Sequence, residues 1–387
     1  MKYLWIALCL PVVFLPSSNC NAQRLVHSQR LVHAKPESGR FVKTDHGFMV
    51  PYKDRILGTD IVFEMIPVPG DGFFKRQPFW IGKYEVTMAE YFEFMKQYDF
   101  AREQRIRAKK QPDLNLFAAD VVSAPSALYD SALAFGYVQR GDEPVHPRFP
   151  ATAMTRAAAR QYTKWLSLLG KYQYRLPLET EWEVACRAGT KTKWSFGDDP
   201  ANAGAFCVYE NDSRDLPMKV GSKKPNPWGI HDMHGNASEW VLQAKYLRNA
   251  NKIAIVDTTK WKSSERNRHE NETFNQMILK GGDWSKSIER CTASSRERGN
   301  REFWDDDPGF PLSVTWTAGE ASCRIGFRIV SSLNELPAEE MEAFWSPDTE
   351  ILVADLRDLA NEAMIVPFKV QQPQLQPRGD EVRRPQN

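Results

Sequence analysis

Residues 190–330 constrain the fold most, because this long stretch combines short apolar runs and aromatic residues with turns rich in Gly, Pro and Asn. Such a pattern predicts long loops pinned by a small sheet, and it disfavours the repeated strand–helix units of a parallel α/β fold. Helical segments precede this stretch. The sequence therefore predicts an α+β domain in which helices pack against a loop-rich sheet.

The segments before residue 190 carry ordinary strand and helix signals. Residues 61–67 and 78–87 are predicted strands, and Thr87 is predicted to cap the helix that follows them. A longer helix is predicted to begin at Thr155 and to end at Gly170. Its apolar residues fall at helical spacing: Ala158, Tyr162, Trp165, Leu166 and Leu169.

Composition sets broad limits on what the chain can do. Apolar residues make up 42% of the sequence and charged residues 26%, which is ordinary for a globular protein with a substantial core. The formal charge of +2 supplies no overall field for nucleic acid or anionic lipid, so partners must be inferred from individual sites. Twelve Trp and 21 Phe are enough for both a core and a rigid binding surface.

The N-terminus carries the pattern of an export signal. Lys2 precedes an apolar run from Leu4 to Leu15, and small residues near position 22 offer a cleavage site. We therefore expect residues 1–22 to be a signal peptide and the mature protein to be exported, to the periplasm or the medium. A lipoprotein anchored through Cys20 is the less favoured alternative. The run is too short to span a bilayer, and no other stretch is apolar enough.

The predicted domain covers residues 60–332, and three further segments accompany it. Residues 23–59 are interpreted as a flexible leader, because they are polar and punctuated. Residues 99–143 are interpreted as an insertion in the domain. Residues 333–387 are predicted to be helical at first and then disordered, since their end is rich in Pro, Gln and Arg.

Four cysteines follow the predicted signal peptide: Cys186, Cys207, Cys291 and Cys323. An even number of cysteines in an oxidising compartment favours structural disulfides over reactive thiols. Four cysteines allow three pairings, and the residues by themselves leave the pairing open.

A short loop contains the most ligand-like residues. His231, Asp232 and His234 suggest a transition metal, but no second cluster supplies the remaining ligands. A hard cation fits better, because Asp232, Glu239 and the carbonyls of the turn at Gly235 are oxygen ligands on one loop. Alternatively, the two carboxylates only cap turns.

A short acidic helix is predicted around Glu179, Glu181 and Glu183. Residues 179 and 183 share one helix face, and position 181 points elsewhere. Arg175 and Arg187 lie nearby, so a structural network of ion pairs is favoured over acid–base catalysis. The sequence contains no P-loop, dinucleotide fingerprint or Ser-His-Asp order.

Several motifs occur in an order that resembles one known family. They are Tyr84–Thr87, Tyr174–Gly189, Ser195–Asp198, Lys224–Gly229, Asp232–Asn236, Glu239–Trp240, Lys280–Gly282 and Gly326–Arg328. Together they closely resemble the formylglycine-generating-enzyme domain, also called the sulfatase-modifying-factor domain. The resemblance implies a single domain with a C-type-lectin-like core and little regular secondary structure.

The resemblance also implies a structural calcium site and a disulfide. The calcium ligands would be the side chains of Asp232 and Glu239 with the carbonyls of Gly235 and Ala237, a set of oxygens that suits calcium. The disulfide that the resemblance implies joins the two cysteines at positions 186 and 291.

The residues that the family uses for catalysis are not carried over. Active members of the family hold Cu(I) with two cysteines separated by four residues, because soft thiolates suit monovalent copper. Here Lys286 stands in that segment, Asp283 replaces the usual Ser, and Ser238 replaces the usual Trp. The latter two lie where the family's oxidase builds its oxygen pocket. We therefore expect no bound copper.

The sequence thus favours a non-catalytic binding or scaffold module over an enzyme. The expected partner is a protein, peptide or glycan, bound at an aromatic-rich loop surface. Four tryptophans are candidates for that surface: Trp228, Trp284, Trp304 and Trp316. The alternative is an oxidase that converts a sulfatase cysteine to formylglycine through a different metal arrangement.

Overall fold

The computed structural model describes most of the predicted domain. The described residues are 29–70, 77–94, 146–152, 154, 156–212, 216–245, 247, 262, 264, 277–299 and 324–346. Residues 1–22, the insertion at 99–143, Cys323, Trp304, Trp316 and the end of the tail lie outside this set.

The described residues contain short strands and few helices. The strands are β1 (Leu31–Val32), β2 (Val42–Thr44), β3 (Gly47–Met49), β4 (Tyr52–Arg55), β5 (Val62–Val68), β6 (Phe79–Gly82), β7 (Ser238–Val241), β8 (Ile278–Lys280), β9 (Arg296–Arg298), β10 (Ile325–Gly326) and β11 (Val330–Ser332). The α-helices are α1 (Arg156–Leu169), α2 (Glu179–Arg187) and α3 (Ala338–Trp345), and a further helical segment covers 88–94. This arrangement confirms the predicted loop-rich α+β fold.

Three sheets hold the loops together. The first four-stranded sheet has the order β11-β6-β5-β4 and is antiparallel throughout. The second has the order β10-β7-β8-β9, in which β10 and β7 are parallel. The remaining sheet contains β1, β3 and β2. Because β7 and β10 belong to motifs far apart in the chain, this second sheet brings the Glu239 and Gly326 motifs together.

The interpretation of residues 23–59 as a flexible leader is wrong for the part of that range that the structure describes. Residues 31–55 contribute four strands, and β4 pairs with β5 in the first sheet. Tyr52 is buried, and Asp54 accepts a hydrogen bond of 2.5 Å from the Tyr174 hydroxyl. The segment is therefore part of the core, to which it contributes the buried side chains of Val42, Met49, Tyr52 and Ile56.

The helices form where the sequence predicts them. Thr87 caps the helical segment at 88–94 through a reciprocal pair of hydrogen bonds with Glu90, whose carboxylate accepts from the Thr87 N–H at 2.9 Å. Helix α1 buries Tyr162 against Phe327 at a ring-centroid distance of 5.4 Å. It ends before Gly170, as predicted.

Helix α3 is the described part of the predicted helical tail. It packs against α1, where Arg160 donates to the carbonyls of Ala343 and Phe344, both at 2.7 Å. Lys164 forms an ion pair of 2.9 Å with Glu342. No helix within the described ranges combines the length and the apolar character that crossing a membrane requires.

Helix α2 presents its acidic residues to arginine and lysine partners. Arg175 binds the Glu181 carboxylate through two hydrogen bonds of 2.7 Å, and both side chains are almost fully buried. Glu183 pairs with Arg187 at 2.8 Å, and Glu179 pairs with Arg296 at 2.6 Å. The predicted structural ion-pair network is confirmed.

Candidate functional site

A buried ion pair joins two of the motifs that carry the family resemblance. Arg328 follows β10, and its guanidinium donates to both carboxylate oxygens of Glu239 on β7 at 2.6–2.9 Å. The Trp182 indole of α2 donates to the same carboxylate at 2.7 Å. Both charged side chains are completely buried. This pair joins the second sheet to α2 and to the end of β6, since Arg328 also donates to the carbonyl of Gly82.

Two further carboxylates surround this pair. Glu85 accepts from the Asn236 side-chain amide at 2.6 Å and from the Ala237 N–H at 2.9 Å. Asp232 accepts from the Gly221 N–H at 2.7 Å. Burial raises the pKa of Asp232 to about 6. Burial also raises the pKa of Glu85 well above its usual value, and the neighbouring negative charges add to this effect.

The loop that carries these groups is tightly held. Asp232 and Asn236 both have positive φ, at 58° and 67°. Gly235 has a φ of 86°, and a Cβ atom there would collide with the Val208 carbonyl. Glycine is required at this position because the backbone conformation and the close approach both exclude a side chain.

The Glu239 carboxylate, one of the predicted calcium ligands, is not free to bind a calcium ion in this arrangement. The Glu239 oxygens already accept from the guanidinium of Arg328 and from the indole of Trp182. Calcium needs six to eight oxygen ligands, and a guanidinium on the same carboxylate repels it. Within the described ranges, no three His, Cys, Asp or Glu side chains are arranged to hold a metal ion.

Both histidines of the loop are bound by protein atoms. The Nδ1 atom of His234 lies 2.8 Å from the Cys291 carbonyl, and its Nε2 atom accepts from the Ser195 N–H at 3.1 Å. Burial lowers the pKa of His234 to about 4, so the ring is neutral. His231 has its Nδ1 atom 2.9 Å from the Lys223 carbonyl. Neither ring presents a free pair of nitrogens to a metal.

The disulfide expected between Cys186 and Cys291 is not formed in the structure. Both residues are free, buried thiols, and so is Cys207. The Cys186 sulfur lies 3.5 Å from the Met233 carbonyl and 3.6 Å from the His234 ring, whereas the Cys291 sulfur lies 3.9 Å from the Asp283 carbonyl. The two sulfurs therefore have separate partners. Burial raises the pKa of all three thiols.

A cleft of about 210 Å³ lies where strands β7, β8 and β9 meet the loop after β8. It is lined by Ser238, Leu279, Gly282, Lys286, Glu289, Arg290, Ser295, Arg296 and Glu297. The structure thus brings together the positions that depart from the family's catalytic pattern. The Ser238 hydroxyl donates to Asp283 at 3.2 Å, and Asp283 also accepts from the Ser285 hydroxyl at 2.6 Å.

Charged side chains of both signs line the cleft or lie next to it. Lys286 pairs with Glu297 at 3.2 Å on one side. Arg324 donates at 3.0 Å to the hydroxyl of Ser285, the residue next to Lys286. Arg290 is exposed, and its guanidinium has no hydrogen-bond or ion-pair partner among the described residues. The cleft therefore offers hydroxyls and both signs of charge to a ligand.

The two described tryptophan candidates are only half-buried and have different surroundings. Trp228 packs against the core, and the Arg40 guanidinium lies 4.4 Å from its ring centre. The backbone N–H of Trp284 donates to the Asn236 carbonyl at 3.1 Å. Neither indole lines the cleft beside β8 and β9.

Sequence reasoning assigned no role to Glu85 or Arg328. Both residues lie inside motifs that identify the family, and Arg328 is the one charged residue in the apolar run from Ile325 to Val330. A charge in such a run needs a buried partner, which is the signal that could have indicated Arg328.

Comparison with curated proteins shows partial matches. The chain is 36% identical over 169 residues to "Serine/threonine-protein kinase pkn1" of Chlamydia caviae, covering 43% of this chain and 24% of that protein. It therefore spans about a quarter of the length of that relative. It is 26% identical over 236 residues to "Chaperone protein LppX" of Paenibacillus barcinonensis, covering 56% and 72% respectively. It is 30% identical over 108 residues to "Formylglycine-generating enzyme" of Mycobacterium tuberculosis, covering 25% and 34%.

Solved structures and a family model complete the comparison. Treponema denticola variable protein 1 matches 73% of this chain and 99% of its own, at 17% identity and a TM-score of 0.43. PvdO from Pseudomonas aeruginosa matches 77% and 100%, at 19% identity and a TM-score of 0.40. The family model described as "Sulfatase-modifying factor enzyme 1-like domain" matches residues 63–315, well over half of the chain. The chain therefore belongs to the sulfatase-modifying factor enzyme 1-like domain family.

Proposed function

We propose that this chain is a non-catalytic binding module of its family, with the cleft beside β8 and β9 as its binding site. The observation that carries the proposal is the lining of that cleft, which contains serine, lysine, arginine and glutamate but no thiol or imidazole. A protein, peptide or glycan segment is the proposed ligand, because such segments offer the polar groups that hydroxyls and ion pairs recognise.

The chemistry of the cleft supports binding over copper-dependent oxidation. Cu(I) needs soft sulfur ligands, and Lys286 stands in the segment where the family supplies a cysteine. The nearest sulfur in sequence belongs to Cys291, which is fully buried behind Gly282. A Cβ atom on Gly282 would come within 2.7 Å of that sulfur, so the thiol packs against the backbone of Gly282 and is not itself part of the cleft lining. The donor set of the cleft does not fit copper.

The first experiment tests for the alternative function, a formylglycine-generating oxidase. The purified mature protein is incubated with Cu(I), oxygen and a cysteine-containing sulfatase peptide, and the products are analysed by mass spectrometry. We expect no conversion of the cysteine to an aldehyde. Turnover that depends on the protein would overturn the proposal, and an active family member supplies the positive control.

The second experiment tests the cleft directly. Peptide and glycan arrays are probed with the full mature chain and with the Arg290→Glu variant, whose side chain is exposed and lacks described partners. We expect the variant to lose a large part of the binding signal of the parent, about tenfold, because one ligand-facing cation becomes an anion. Lys43→Glu reverses an exposed charge on β2, outside the cleft, and is the matched control. Equal losses in both variants would contradict the assignment of the cleft.

A further inference from the structure

A second cavity, of about 330 Å³, shares no lining residue with the cleft. Its walls come from the start of β5, the segment after β6, the loop at residues 147–148, Val220 and Ile329. Its volume falls in the range of sites that hold a small ligand. Charged and apolar side chains both line it, and together they restrict the chemistry of that ligand.

Arg148 is the cation in the lining of this cavity. Its side chain is exposed, and its Nη2 atom donates to the Val220 carbonyl at 3.0 Å. Its Nε and Nη1 atoms have no partner, and no carboxylate pairs with it, within the part of the chain that the structure describes. Asp232 is close enough to feel its charge, but that carboxylate is buried, accepts from the Gly221 N–H at 2.7 Å and does not line the cavity. An arginine with unused donors favours an anion, above all a carboxylate or a phosphate.

Tyr84 holds this positive charge beside an aromatic ring. The Arg148 guanidinium lies 5.6 Å from the ring centre, and the Lys83 ammonium lies 5.2 Å from it. The ring itself is fixed by its neighbours, since His231 packs on it at 5.0 Å and a Cβ atom on Gly221 would come within 2.6 Å of it. The position of the positive charge relative to the cavity is therefore set by packing.

The three carboxyl groups of the lining do not cancel this charge. Glu64 pairs with Lys83 at 3.0 Å and with Lys53 at 3.4 Å, so two lysines balance it. Burial raises the pKa of Glu90 to about 7 and the pKa of Glu85 well above its usual value. Both groups therefore carry less than a full negative charge near neutral pH. The unbalanced charge of the lining is that of the arginine.

Apolar side chains form much of the remaining wall. They belong to Ile61, Val62, Phe63, Val86, Val220 and Ile329. Val62 is 45% exposed, which is unusual for a large apolar residue among those that the structure describes. A small hydrated anion gains nothing from such walls, whereas an anion with an apolar group removes them from water.

We propose that this cavity binds an aliphatic carboxylate, in which one carboxylate is joined to an apolar group of about four to six carbons. The apolar C-terminal residue of a polypeptide and a short fatty acid both carry this chemistry. The carboxylate accepts from the unused N–H groups of Arg148, and the apolar group lies against Val62 and Phe63. This site is separate from the cleft beside β8 and β9, and it does not depend on the function proposed for that cleft.

Titrations followed by saturation-transfer NMR on the full mature chain test the proposal. The probes are Nα-acetyl-leucine, hexanoate, Nα-acetyl-leucinamide and acetate, of which the amide lacks the charge and acetate lacks the apolar group. At about pH 6 the carboxyl of Glu90 is mainly protonated and the carboxylate probes are ionised. We expect one or both of the first two probes to bind, and the amide and acetate to bind about tenfold more weakly.

Each outcome of these titrations bears on the proposal. Binding of acetyl-leucine without hexanoate identifies a polypeptide C-terminus, and the reverse identifies a fatty acid. Failure of both probes would overturn the proposal. An amide that binds as tightly as acetyl-leucine would overturn it as well, because the charge would then have no role. Acetate as tight as hexanoate would leave the apolar walls without a role, with the same consequence.

The Arg148→Gln variant locates the carboxylate. The arginine side chain is exposed, so its loss should leave the fold intact, which circular dichroism checks. We expect about a tenfold loss of affinity for the carboxylate probes and no change for the amide. Lys43→Gln is the matched control, because it removes an exposed cation on β2 that does not line the cavity. Unchanged affinity in Arg148→Gln, or an equal loss in Lys43→Gln, would contradict the proposal.

The Val62→Ser variant tests the apolar wall and keeps the proposal falsifiable if Arg148→Gln does not fold. It should weaken the carboxylate probes that bind by about fivefold, through lost apolar contact. Leu57→Ser is the matched control, because Leu57 is 40% exposed and does not line the cavity. The same affinity in Val62→Ser as in Leu57→Ser would contradict the proposal.

Discussion

Arg328 and Glu239 are 89 positions apart in the chain and form a completely buried ion pair, with nitrogen–oxygen distances of 2.6–2.9 Å. The pair connects two motifs that identify the family, one on each of the parallel strands β7 and β10. The pair is completely buried and does not line the cleft beside β8 and β9, so its role is structural.

Removing the arginine should be strongly destabilising. Arg328→Met leaves the Glu239 carboxylate buried without its cation, and we expect the free energy of unfolding to fall by about 3–5 kcal/mol. Arg55→Met, in the exposed Arg55–Asp60 pair, is the control and should cost under about 1 kcal/mol. Urea unfolding measures both values. Similar losses in the two variants would show that the buried pair has no special role.

Chelation should leave the stability of the protein unchanged. The Glu239 carboxylate is already occupied by Arg328 and Trp182, so calcium has no free ligand there. We expect the melting temperature in EDTA to equal the melting temperature in buffer with added calcium. A lower melting temperature in EDTA that calcium restores, and magnesium does not, would contradict this prediction and support the calcium site that the resemblance implies.

His234 should make the protein sensitive to mild acid. Its folded pKa of about 4 lies below the usual value of 6.5, so its contribution to stability is present above about pH 6.5 and is lost as the pH falls towards 4. The loss should reach about 3 kcal/mol, because each pKa unit corresponds to about 1.4 kcal/mol. Urea unfolding at several pH values, compared between the parent chain and His234→Asn, isolates this contribution.

The pH dependence of the parent chain and of His234→Asn can contradict this prediction. His234→Asn is expected to unfold more easily at neutral pH and to lose less stability on acidification than the parent chain does. If the two curves run parallel from neutral pH to pH 4, the histidine is not buried in its neutral form.

The three buried cysteines should react only after unfolding. Cys186, Cys207 and Cys291 are fully buried, and burial raises the pKa of each thiol, so little reactive thiolate forms. We expect iodoacetamide to leave these residues unmodified in the native protein at about pH 8, and to modify all three in denaturant without a reductant. Peptide mass spectrometry reads both states. A cross-linked peptide containing Cys186 and Cys291 would restore the disulfide that the resemblance implies.

Local patterns in the sequence determined the helices, the Thr87 cap and two of the ion pairs of α2, Arg175–Glu181 and Glu183–Arg187. These features depend on residues within one or two turns of each other, so spacing alone specifies them. The order of the motifs likewise determined the family and its loop-rich α+β fold. The strands before residue 60 were not predicted from the sequence. Strand β4, for example, is stabilised by pairing with β5 and has no strand pattern of its own.

Only the tertiary structure decided which charged side chains pair with each other and which backbone or side-chain donors they bind. In sequence, Glu239 resembles a calcium ligand. In the structure, the pairing of β7 with β10 brings the Arg328 guanidinium into hydrogen-bonding contact with its carboxylate. Likewise, Glu85 accepts a hydrogen bond from the side chain of Asn236, which lies 151 positions further along the chain. The physical reason is that desolvation and pairing of a charge depend on groups far away in the chain, whose positions are set only when the sheets assemble.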